Sequence, residues 1–231
     1  MTGGADFTSI PFDVAPYALS GRVYGALLNH RSALAALRAA ASAPPYRAPP
    51  VAPVLYIKPR NTLAVSGDVV RIPAGTLELE VGACLGLVIG RTACAVSEAQ
   101  ALDHVAGYLI VADVSVPHDS YHRPSIRYKA RDGYCPLGPA VVGRAVLGSP
   151  DALTIRTYLD GALLQTASTA DLIRPAARLL ADVTEFMTLS PGDVLALGAA
   201  APAPRVRSGQ TVTIELDGLG SLSNPYLASE A

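Results

Sequence analysis

The chain has 231 residues, of which 50% are hydrophobic and 16% are charged. This length and composition allow one large globular domain with a sizeable core and at most a small appendage. The formal net charge of -1 provides no general attraction to nucleic acid or to an anionic membrane, so we expect neither partner. No apolar run approaches the length of a membrane span, and residues 1–20 lack the pattern of a secretory signal, which together predict a cytoplasmic protein.

The cysteines predict neither a zinc site nor a disulfide framework. Cys84, Cys94 and Cys135 are odd in number and lack the C-x-x-C spacing of zinc and redox motifs. Thiols in the cytoplasm stay reduced, and buried ones act as small apolar side chains. We therefore expect reduced thiols in the core.

Three segments are predicted along the chain. Residues 1–20 have weak periodicity and form an N-terminal arm. Residues 21–53 form a small N-terminal unit, with a strand over 22–28, a helix over 30–41 capped by Asn29, and a Pro-rich connector over 44–53. Residues 54–231 form the main domain, which begins with a strand over 54–57.

Strands dominate the predicted main domain. Apolar patterns predict strands over 85–90, 107–111, 194–198, 211–216 and 218–222, with Asp113 just beyond the end of the second. Asp160-Gly161 is typical of a tight hairpin. A capping box at Ser97 begins a short helix to about residue 105, and a helical region over 168–187 restarts at Pro175. The pattern predicts a β-rich chain with three or four short helices.

A cluster of positive charge follows residue 124. If this segment is an extended strand, Arg127, Lys129 and Arg131 lie at alternate positions and share one face. Such neighbouring cations repel one another unless anions neutralise them. One interpretation is a solvent-exposed edge strand guarded by positive charge. The other is a pocket for a polycarboxylate, in which the arginines bind carboxylates in bidentate geometry and the lysine supplies a point charge.

Two further patterns have both a functional and a structural interpretation. Glu78 and Glu80 place both carboxylates on one strand face, as a metal-binding pair does, but an exposed strand face near a turn gives the same pattern. His118 and His122 are four residues apart, yet the nearby prolines disfavour the helix that would bring both onto one metal. We expect them to line a loop, where each is a candidate acid or base.

Seven sequence blocks between about residues 24 and 224 resemble the fumarylacetoacetate hydrolase family and occur in the family's order. They are Lys58-Pro59-Arg60-Asn61, Leu87-Val88-Ile89-Gly90-Arg91, Val105-Ala106-Gly107-Tyr108 leading to Asp113, Lys129-Ala130-Arg131-Asp132-Gly133, Gly138-Pro139, Ser168-Thr169-Ala170-Asp171-Leu172-Ile173 and Leu189-Ser190-Pro191-Gly192-Asp193. Residues 28–32, 45–50, 56–62 and 131–136 add a closer resemblance to the N-terminal half, or separate N-terminal subunit, of members that isomerise and decarboxylate intermediates of 4-hydroxyphenylacetate (homoprotocatechuate) degradation. The resemblance implies a mixed α/β, β-rich fold, a β-sandwich roll with a few short helices.

The family resemblance also implies a divalent cation, Mg2+ or Mn2+, bound by two glutamates and one aspartate. Asp113 occupies the aspartate position, whereas Gly82 and Cys84 occupy the two glutamate positions. One carboxylate and a soft thiol make a poor cage for a hard cation. We therefore expect a metal-poor site, with a metal site shifted to Glu78 and Glu80 as the alternative.

The same resemblance implies two polyanionic substrates, 5-carboxymethyl-2-hydroxymuconate for isomerisation and 5-oxopent-3-ene-1,2,5-tricarboxylate for decarboxylation, both handled through an enolate. In this interpretation Lys129 neutralises the enolate, and Asp113 orients a water or a weakly held cation. The candidate carboxylate contacts are Arg60, Arg131 and Thr169. The implied partner is a second copy or a homologous metal-bearing subunit of the C-terminal type. Two alternatives stay open: a non-catalytic structural subunit that supports an active homologue, and a hydrolase of acylpyruvate type.

Overall fold

The structure of the protein, a computed structural model, describes Ile10 and residues 15–41, 44, 48–118 and 125–229. The predicted acid or base His122, most of the predicted N-terminal arm and part of the Pro-rich connector lie outside the described residues. Within these ranges, no helix is long and apolar enough to cross a membrane.

The described residues form strands β1 (Val23–Leu27), β2 (Val54–Lys58), β3 (Leu63–Val65), β4 (Val70–Ile72), β5 (Glu78–Ile89), β6 (Val105–Ser115), β7 (Cys135–Gly143), β8 (Thr154–Leu159), β9 (Ala162–Ser168), β10 (Val194–Ala196), β11 (Arg205–Arg207), β12 (Gln210–Leu216) and β13 (Gly220–Ala228). The α-helices are α1 (Arg31–Ala41), α2 (Glu98–Ala101), α3 (Ile126–Lys129), α4 (Arg144–Leu147) and α5 (Ala176–Thr184). Short 3₁₀ helices span Arg60–Thr62, Leu102–His104 and Thr169–Asp171.

These strands form two sheets with mixed strand directions. The larger sheet has the order β2-β1-β10-β5-β6-β7-β3, and β11 pairs with the first residues of β5. In it β1 is parallel to β10 and β3 is parallel to β7, whereas the other pairs are antiparallel. The smaller sheet has the order β4-β13-β12-β8-β9. This architecture confirms the prediction of a β-rich fold with short helices.

The larger sheet is rolled, because its two edges meet. The edge strands are β2 and β3, yet only residues 59–62 separate them along the chain. A flat sheet would place β2 about 19 Å from β6, which is four strand spacings away. Instead Lys58 at the end of β2 donates a hydrogen bond to the carbonyl oxygen of Val114 on β6, at 2.5 Å. The end of β2 therefore lies against the end of β6.

The core is built around β5 and β6, which are long, antiparallel and buried over most of their length. One apolar cluster joins these strands to the smaller sheet and to α5, and a second contains Cys84 and Cys135. These two cysteines are free and buried, as predicted, whereas Cys94 is free but exposed. The continuous apolar sequence of β5 and β6 is what a strand covered on both faces requires.

Several predicted elements are confirmed at residue level. Asp160 and Gly161 have φ values of 49° and 82°, the left-handed backbone that a two-residue hairpin of this kind requires, and they join β8 to β9. The helical region restarts after Pro175 as α5, although α5 ends at Thr184 rather than at residue 187. Strand β1, from the predicted N-terminal unit, lies inside the larger sheet between β2 and β10. The predicted segment boundaries at residues 20 and 53 stay predictions.

Both predicted helix caps are wrong, because each side chain has another partner. The Asn29 amide donates to the carbonyl oxygens of Arg174, at 3.1 Å, and of Leu197, at 2.8 Å, and its oxygen accepts from the Arg174 N–H group. It therefore ties β1 to the segment before α5. The Ser97 hydroxyl group lies 2.9 Å from Gln100 Oε1 and caps no backbone N–H group.

The predicted cationic strand is also wrong. Ile126–Lys129 form the single helical turn α3, so Arg127, Lys129 and Arg131 do not alternate along one face. Arg127 and Arg131 are exposed, whereas Lys129 is buried. The reason is the carboxylate of Asp113, which lies inside β6 rather than beyond its end and binds the Lys129 ammonium group.

Gly25 gives Tyr56 room beside the larger sheet. The two residues pair across β1 and β2, and a Cβ atom on residue 25 would lie 2.1 Å from Tyr56 Cζ. The Tyr56 ring in turn lies beside the Lys129 ammonium group, whose nitrogen is 4.6 Å from the ring centroid. A glycine on β1 thus sets the position of an aromatic ring next to a buried cation.

Replacing Gly25 with alanine should lower the free energy of unfolding by about 3 kcal/mol, because the added methyl group must displace the Tyr56 ring. Chemical denaturation followed by circular dichroism measures this change. Gly67→Ala is the control, since its added methyl group meets no atom within 4 Å and only its positive φ is strained, at about 1 kcal/mol. Equal losses in both variants would contradict a packing role for Gly25.

Candidate active site

Three elements that are far apart in the sequence bring one carboxylate and two ammonium groups together. Strand β6 supplies Asp113, the last residue of β2 is Lys58, and the last residue of α3 is Lys129. Their exposed fractions are 8%, 1% and 5%. Because the sheet is rolled, these residues form one buried charged cluster, which we name the Asp113 triad.

The Asp113 triad has well-defined geometry. Lys129 Nζ donates to Asp113 Oδ2 at 2.6 Å. Lys58 Nζ lies 3.1 Å from Asp113 Oδ1, an ion pair in which no N–H bond points at the oxygen. The three N–H bonds of Lys58 go instead to the carbonyl oxygens of Val114, Lys129 and Tyr134, at 2.5, 2.9 and 2.8 Å. Lys58 therefore holds the backbone on all sides of the carboxylate.

The triad carries one positive charge in excess, since two ammonium groups face one carboxylate. These are also the only two lysines in the sequence, in which every other permanent side-chain cation is an arginine. A buried charge without a partner is costly. Lys129 makes one hydrogen bond, to Asp113, within the described part of the chain, so its remaining N–H bonds are the available partners for an anion.

Burial and charge shift the pKa values around Asp113 in different directions. Burial alone would raise the pKa of Asp113, but Lys129 and Lys58 outweigh it and lower that pKa to about 2. Burial lowers the pKa of Lys58 despite the attraction of Asp113. Burial, followed by the charge of Asp113, raises the pKa of Tyr56 well above its usual value. The carboxylate is therefore ionised at neutral pH and the phenol is neutral.

The residues around Asp113 do not fit a divalent cation. Both carboxylate oxygens already face ammonium groups. Burial raises the pKa of the Cys84 thiol far above neutrality, so it is not a thiolate ligand. Gly82 pairs with Asp113 across β5 and β6, and a Cβ atom there would lie 2.8 Å from the Cβ atom of Ala199. This donor set therefore lacks the ligands for a divalent cation, and position 82 has no room for a ligating side chain.

The alternative metal pair, Glu78 and Glu80, is engaged by arginines instead. Arg205 on β11 contacts Glu78 at 2.6 Å and Glu80 at 3.2 Å, and Arg207 contacts Glu78 at 3.5 Å. Arg205 pairs with Glu80, and Arg207 with Glu78, across β11 and β5, so the opposite charges lie side by side. The interpretation as a partly exposed strand face is the one that this structure supports. Among the described residues, no group of three or more His, Cys, Asp or Glu could hold a metal ion.

Two of the predicted carboxylate contacts lie on the segments that follow Lys58 and Lys129. Arg60 and Arg131 are exposed and flank a contact in which the Asn61 amide donates to Asp132 Oδ1 at 2.7 Å and to the carbonyl oxygen of Ala130 at 3.2 Å. This contact joins the turn after Lys58 to the turn after Lys129. The two arginines therefore belong to the segments that carry the two lysines.

The other predicted residues are placed elsewhere. The Thr169 hydroxyl group is buried and accepts from the Leu153 N–H group at 2.8 Å, next to the β8–β9 hairpin. His118 follows β6 in a loop, and its ring stacks on Tyr128 with centroids 4.8 Å apart. The proposed roles of Thr169, Arg60 and Arg131 toward a ligand stay predictions.

Lys58 and Tyr56 are the site residues that the sequence analysis missed. Lys58 belongs to one of the seven blocks that resemble the family, but a lysine at the end of a predicted strand does not indicate that its side chain is buried. The available signal was composition. The sequence has two lysines among many arginines, which indicates positions where an ammonium group is needed rather than a guanidinium group. Tyr56 gave no signal apart from its place on a predicted strand.

Comparison with known proteins identifies the family. The family model for the C-terminal domain of fumarylacetoacetate (FAA) hydrolase matches residues 22–226, and the chain belongs to this family. The 4-hydroxyphenylacetate degradation bifunctional isomerase/decarboxylase of Salmonella dublin is 42% identical over 212 residues, which are 92% of this chain and 48% of that relative. The enzyme of the same name from Escherichia coli is 41% identical over 209 residues, with 90% and 48% covered. The chain thus spans about half the length of these relatives.

Solved structures confirm the fold. The 5-carboxymethyl-2-hydroxymuconate delta-isomerase from Mycobacterium smegmatis matches with a TM-score of 0.78 and 29% identity, covering 91% of this chain and 78% of that one. Fumarylpyruvate hydrolase from Pseudomonas aeruginosa, solved in complex with Mn2+ and pyruvate, matches with a TM-score of 0.77 and 23% identity, covering 92% and 91%. Because the sequence identity to the fumarylpyruvate hydrolase is 23%, this second match is evidence for the fold alone.

Replacing Asp113 with asparagine should lower the free energy of unfolding by about 3–5 kcal/mol, because two buried ammonium groups lose their counter-ion. Urea denaturation at neutral pH measures the change. Asp103→Asn is the matched control, since it breaks an exposed ion pair with Arg144 and should change stability far less. Similar losses in both variants would show that Asp113 does not hold the two lysines together.

Proposed function

We propose that this chain is the N-terminal-type half or subunit of a cytoplasmic isomerase/decarboxylase of 4-hydroxyphenylacetate degradation. Its substrates would be 5-oxopent-3-ene-1,2,5-tricarboxylate, for decarboxylation, and 5-carboxymethyl-2-hydroxymuconate, for isomerisation. Two relatives with 41% and 42% identity carry names of this activity. The observation that carries the proposal is the excess positive charge of the Asp113 triad, which suits a polyanionic substrate.

In the proposed decarboxylation, the bond between the departing carboxylate carbon and its neighbour breaks and carbon dioxide leaves. The electron pair moves through the conjugated system onto the oxo oxygen, which becomes an enolate oxygen. In this proposal Lys129 donates an N–H bond to this oxygen, and the low exposure of the triad supports a strong interaction. Protonation of this enolate completes the decarboxylation. In the isomerisation no carbon-carbon bond breaks: the 2-hydroxyl group of 5-carboxymethyl-2-hydroxymuconate gives up its proton to form its own enolate, and a carbon of the conjugated system takes up a proton to give the oxo product.

In this proposal Asp113 keeps Lys129 charged and in place rather than acting as the base. A carboxylate with a pKa of about 2 is a weak proton acceptor at neutral pH. Arg60 and Arg131, on the two segments around the triad, are the proposed contacts for the substrate's outer carboxylates, since arginine binds a carboxylate through two parallel N–H bonds. Thr169 is a third proposed contact.

Replacing Lys129 with methionine should lower turnover of either substrate by about 100-fold or more, because the enolate loses its main hydrogen-bond donor. The loss of substrate absorbance in the ultraviolet measures the rate. Arg127→Met is the matched control, since it removes an exposed cation from the same helical turn. Unchanged turnover in a folded Lys129→Met variant would remove this residue from the mechanism.

We further propose that this chain works without a resident divalent cation, because the triad already supplies positive charge beside the carboxylate. Removing metal with EDTA and then adding Mg2+ or Mn2+ should leave the rate of the isolated chain unchanged within twofold. A metal-dependent rate would contradict the proposal and make Asp113, Glu78 and Glu80 the ligands to test.

A second candidate function is a non-catalytic structural subunit that supports a homologous, metal-bearing partner of the C-terminal type. Gly82 and Cys84, at the positions where the family resemblance implies glutamates, favour it. In that case the isolated chain is inactive, it co-purifies with the homologue, and the Lys129→Met variant forms an equally active complex. Activity of the chain alone would contradict this second candidate.

A further inference from the structure

Lys58 contacts both other members of the Asp113 triad and the backbone around them. Its ammonium group touches four residues on three segments: Asp113 and Val114 on β6, Lys129 at the end of α3, and Tyr134 just before β7. With 1% of its surface exposed, it is shielded from nearly all solvent, so a ligand would have to displace protein atoms to reach it.

We propose that Lys58 is a positioning residue: its buried ammonium group, held by three carbonyl oxygens, fixes the Asp113–Lys129 ion pair so that Lys129 keeps N–H bonds free for an anionic ligand. The proposal rests on the proposed function in one respect, that the ligand of Lys129 is an anion. Its other part, that Lys58 orients Lys129, stands on the geometry alone.

The hydrogen bonds of Lys58 require an ammonium ion. Three carbonyl oxygens within 2.9 Å can each accept one N–H bond, and only the protonated amine has three to give. An arginine at this position would bring a planar fork of five N–H bonds, which three converging carbonyl oxygens cannot satisfy. This matches the use of lysine here in a chain that otherwise uses arginine.

The same bonds explain how Lys58 acts on Lys129. One of them goes to the carbonyl oxygen of Lys129 itself, and another goes to Val114, the residue after Asp113. Lys58 thus holds the backbone of both members of the ion pair. Because its N–H bonds are used on the backbone, it attracts Asp113 Oδ1 by charge alone and leaves Lys129 as the hydrogen-bond partner of Oδ2.

The geometry also argues against a role for Lys58 as a reacting amine. Formation of an imine needs a neutral amine nitrogen to attack a carbonyl carbon, with loss of water. Lys58 has no free lone pair while it donates three hydrogen bonds, and it has no space for a carbonyl compound. Its role is therefore exerted through Asp113 and Lys129.

The test uses the full chain labelled with ¹⁵N-lysine, which gives two side-chain signals because the sequence has two lysines. The Lys129→Met variant assigns them. Oxalate, a stable dianion that resembles an enolate carboxylate, is the probe. In the unmodified chain, oxalate should shift the Lys129 signal and leave the Lys58 signal nearly unchanged. A larger shift at Lys58 would overturn the proposal, since Lys58 would then be the ligand contact.

Two variants test the positioning role directly. Lys58→Met removes both the charge and the hydrogen bonds, whereas Lys58→Gln retains two N–H bonds at similar length. We expect a shifted Lys129 signal in both variants without any ligand, and oxalate binding weakened by about tenfold or more, less in Lys58→Gln than in Lys58→Met. Arg156→Met, which removes an exposed cation paired with Asp217, controls for the loss of one positive charge.

The outcomes distinguish the two parts of the proposal. A folded Lys58→Gln variant with an unchanged Lys129 signal and unchanged oxalate binding would reduce Lys58 to a purely structural residue and overturn the positioning role. If oxalate fails to shift Lys129 in the unmodified chain, the anion site of the proposed function fails, while the ligand-free Lys129 signal of the variants still decides whether Lys58 orients it. Borohydride trapping of pyruvate on Lys58 would overturn the proposal, because it would make Lys58 a reacting amine.

Discussion

A carboxylate inside a β-sheet core stays ionised only if cations replace the water that it has lost, and this constraint shapes the structure around Asp113. Its strand, β6, is buried over nearly its whole length. Burial alone would favour the protonated acid, but two ammonium groups within 3.1 Å reverse that preference. The segments that carry Lys58 and Lys129 must therefore lie against the end of β6. Either lysine without Asp113 would be a buried cation without a counter-ion.

The rolled sheet is how the chain satisfies this constraint. Sheet order alone separates β2 from β6 by three strands, so a flat sheet would leave Lys58 out of reach of Asp113. Rolling brings β2 and β3 together as the two edges, and the turn at Arg60–Thr62 joins them. Lys58 lies where the edges meet, and its bonds to three carbonyl oxygens link β2, β6 and the segment before β7. The hydrogen bonds that close the roll thus also build the site.

Local patterns predicted most strands, the hairpin at Asp160 and the restart of the helix after Pro175, because periodicity and turn chemistry act over a few residues. They failed where a distant partner decides the outcome. The alternation of Arg127, Lys129 and Arg131 indicated a strand, but a buried carboxylate on β6 draws Lys129 inward and the segment forms a helical turn. Asn29 has the side chain of a helix cap, yet it binds residues near α5 and β10. The pairing of Lys58 with Asp113 depends on the roll of the sheet, which no short pattern records.

Charge balance shows how the two glutamate positions that the family resemblance implies could change together. Two glutamates carry two negative charges and a divalent cation carries two positive charges, so losing all three leaves the net charge of the site unchanged. With glycine at position 82 and a neutral thiol at Cys84, the remaining charges are one carboxylate and two ammonium groups. Losing the cation alone would leave three carboxylates against two lysines, a net negative cluster that repels an anionic substrate. A site without both glutamates and without a metal would instead keep a net positive charge. This is the physical condition that the proposed polycarboxylate substrate requires.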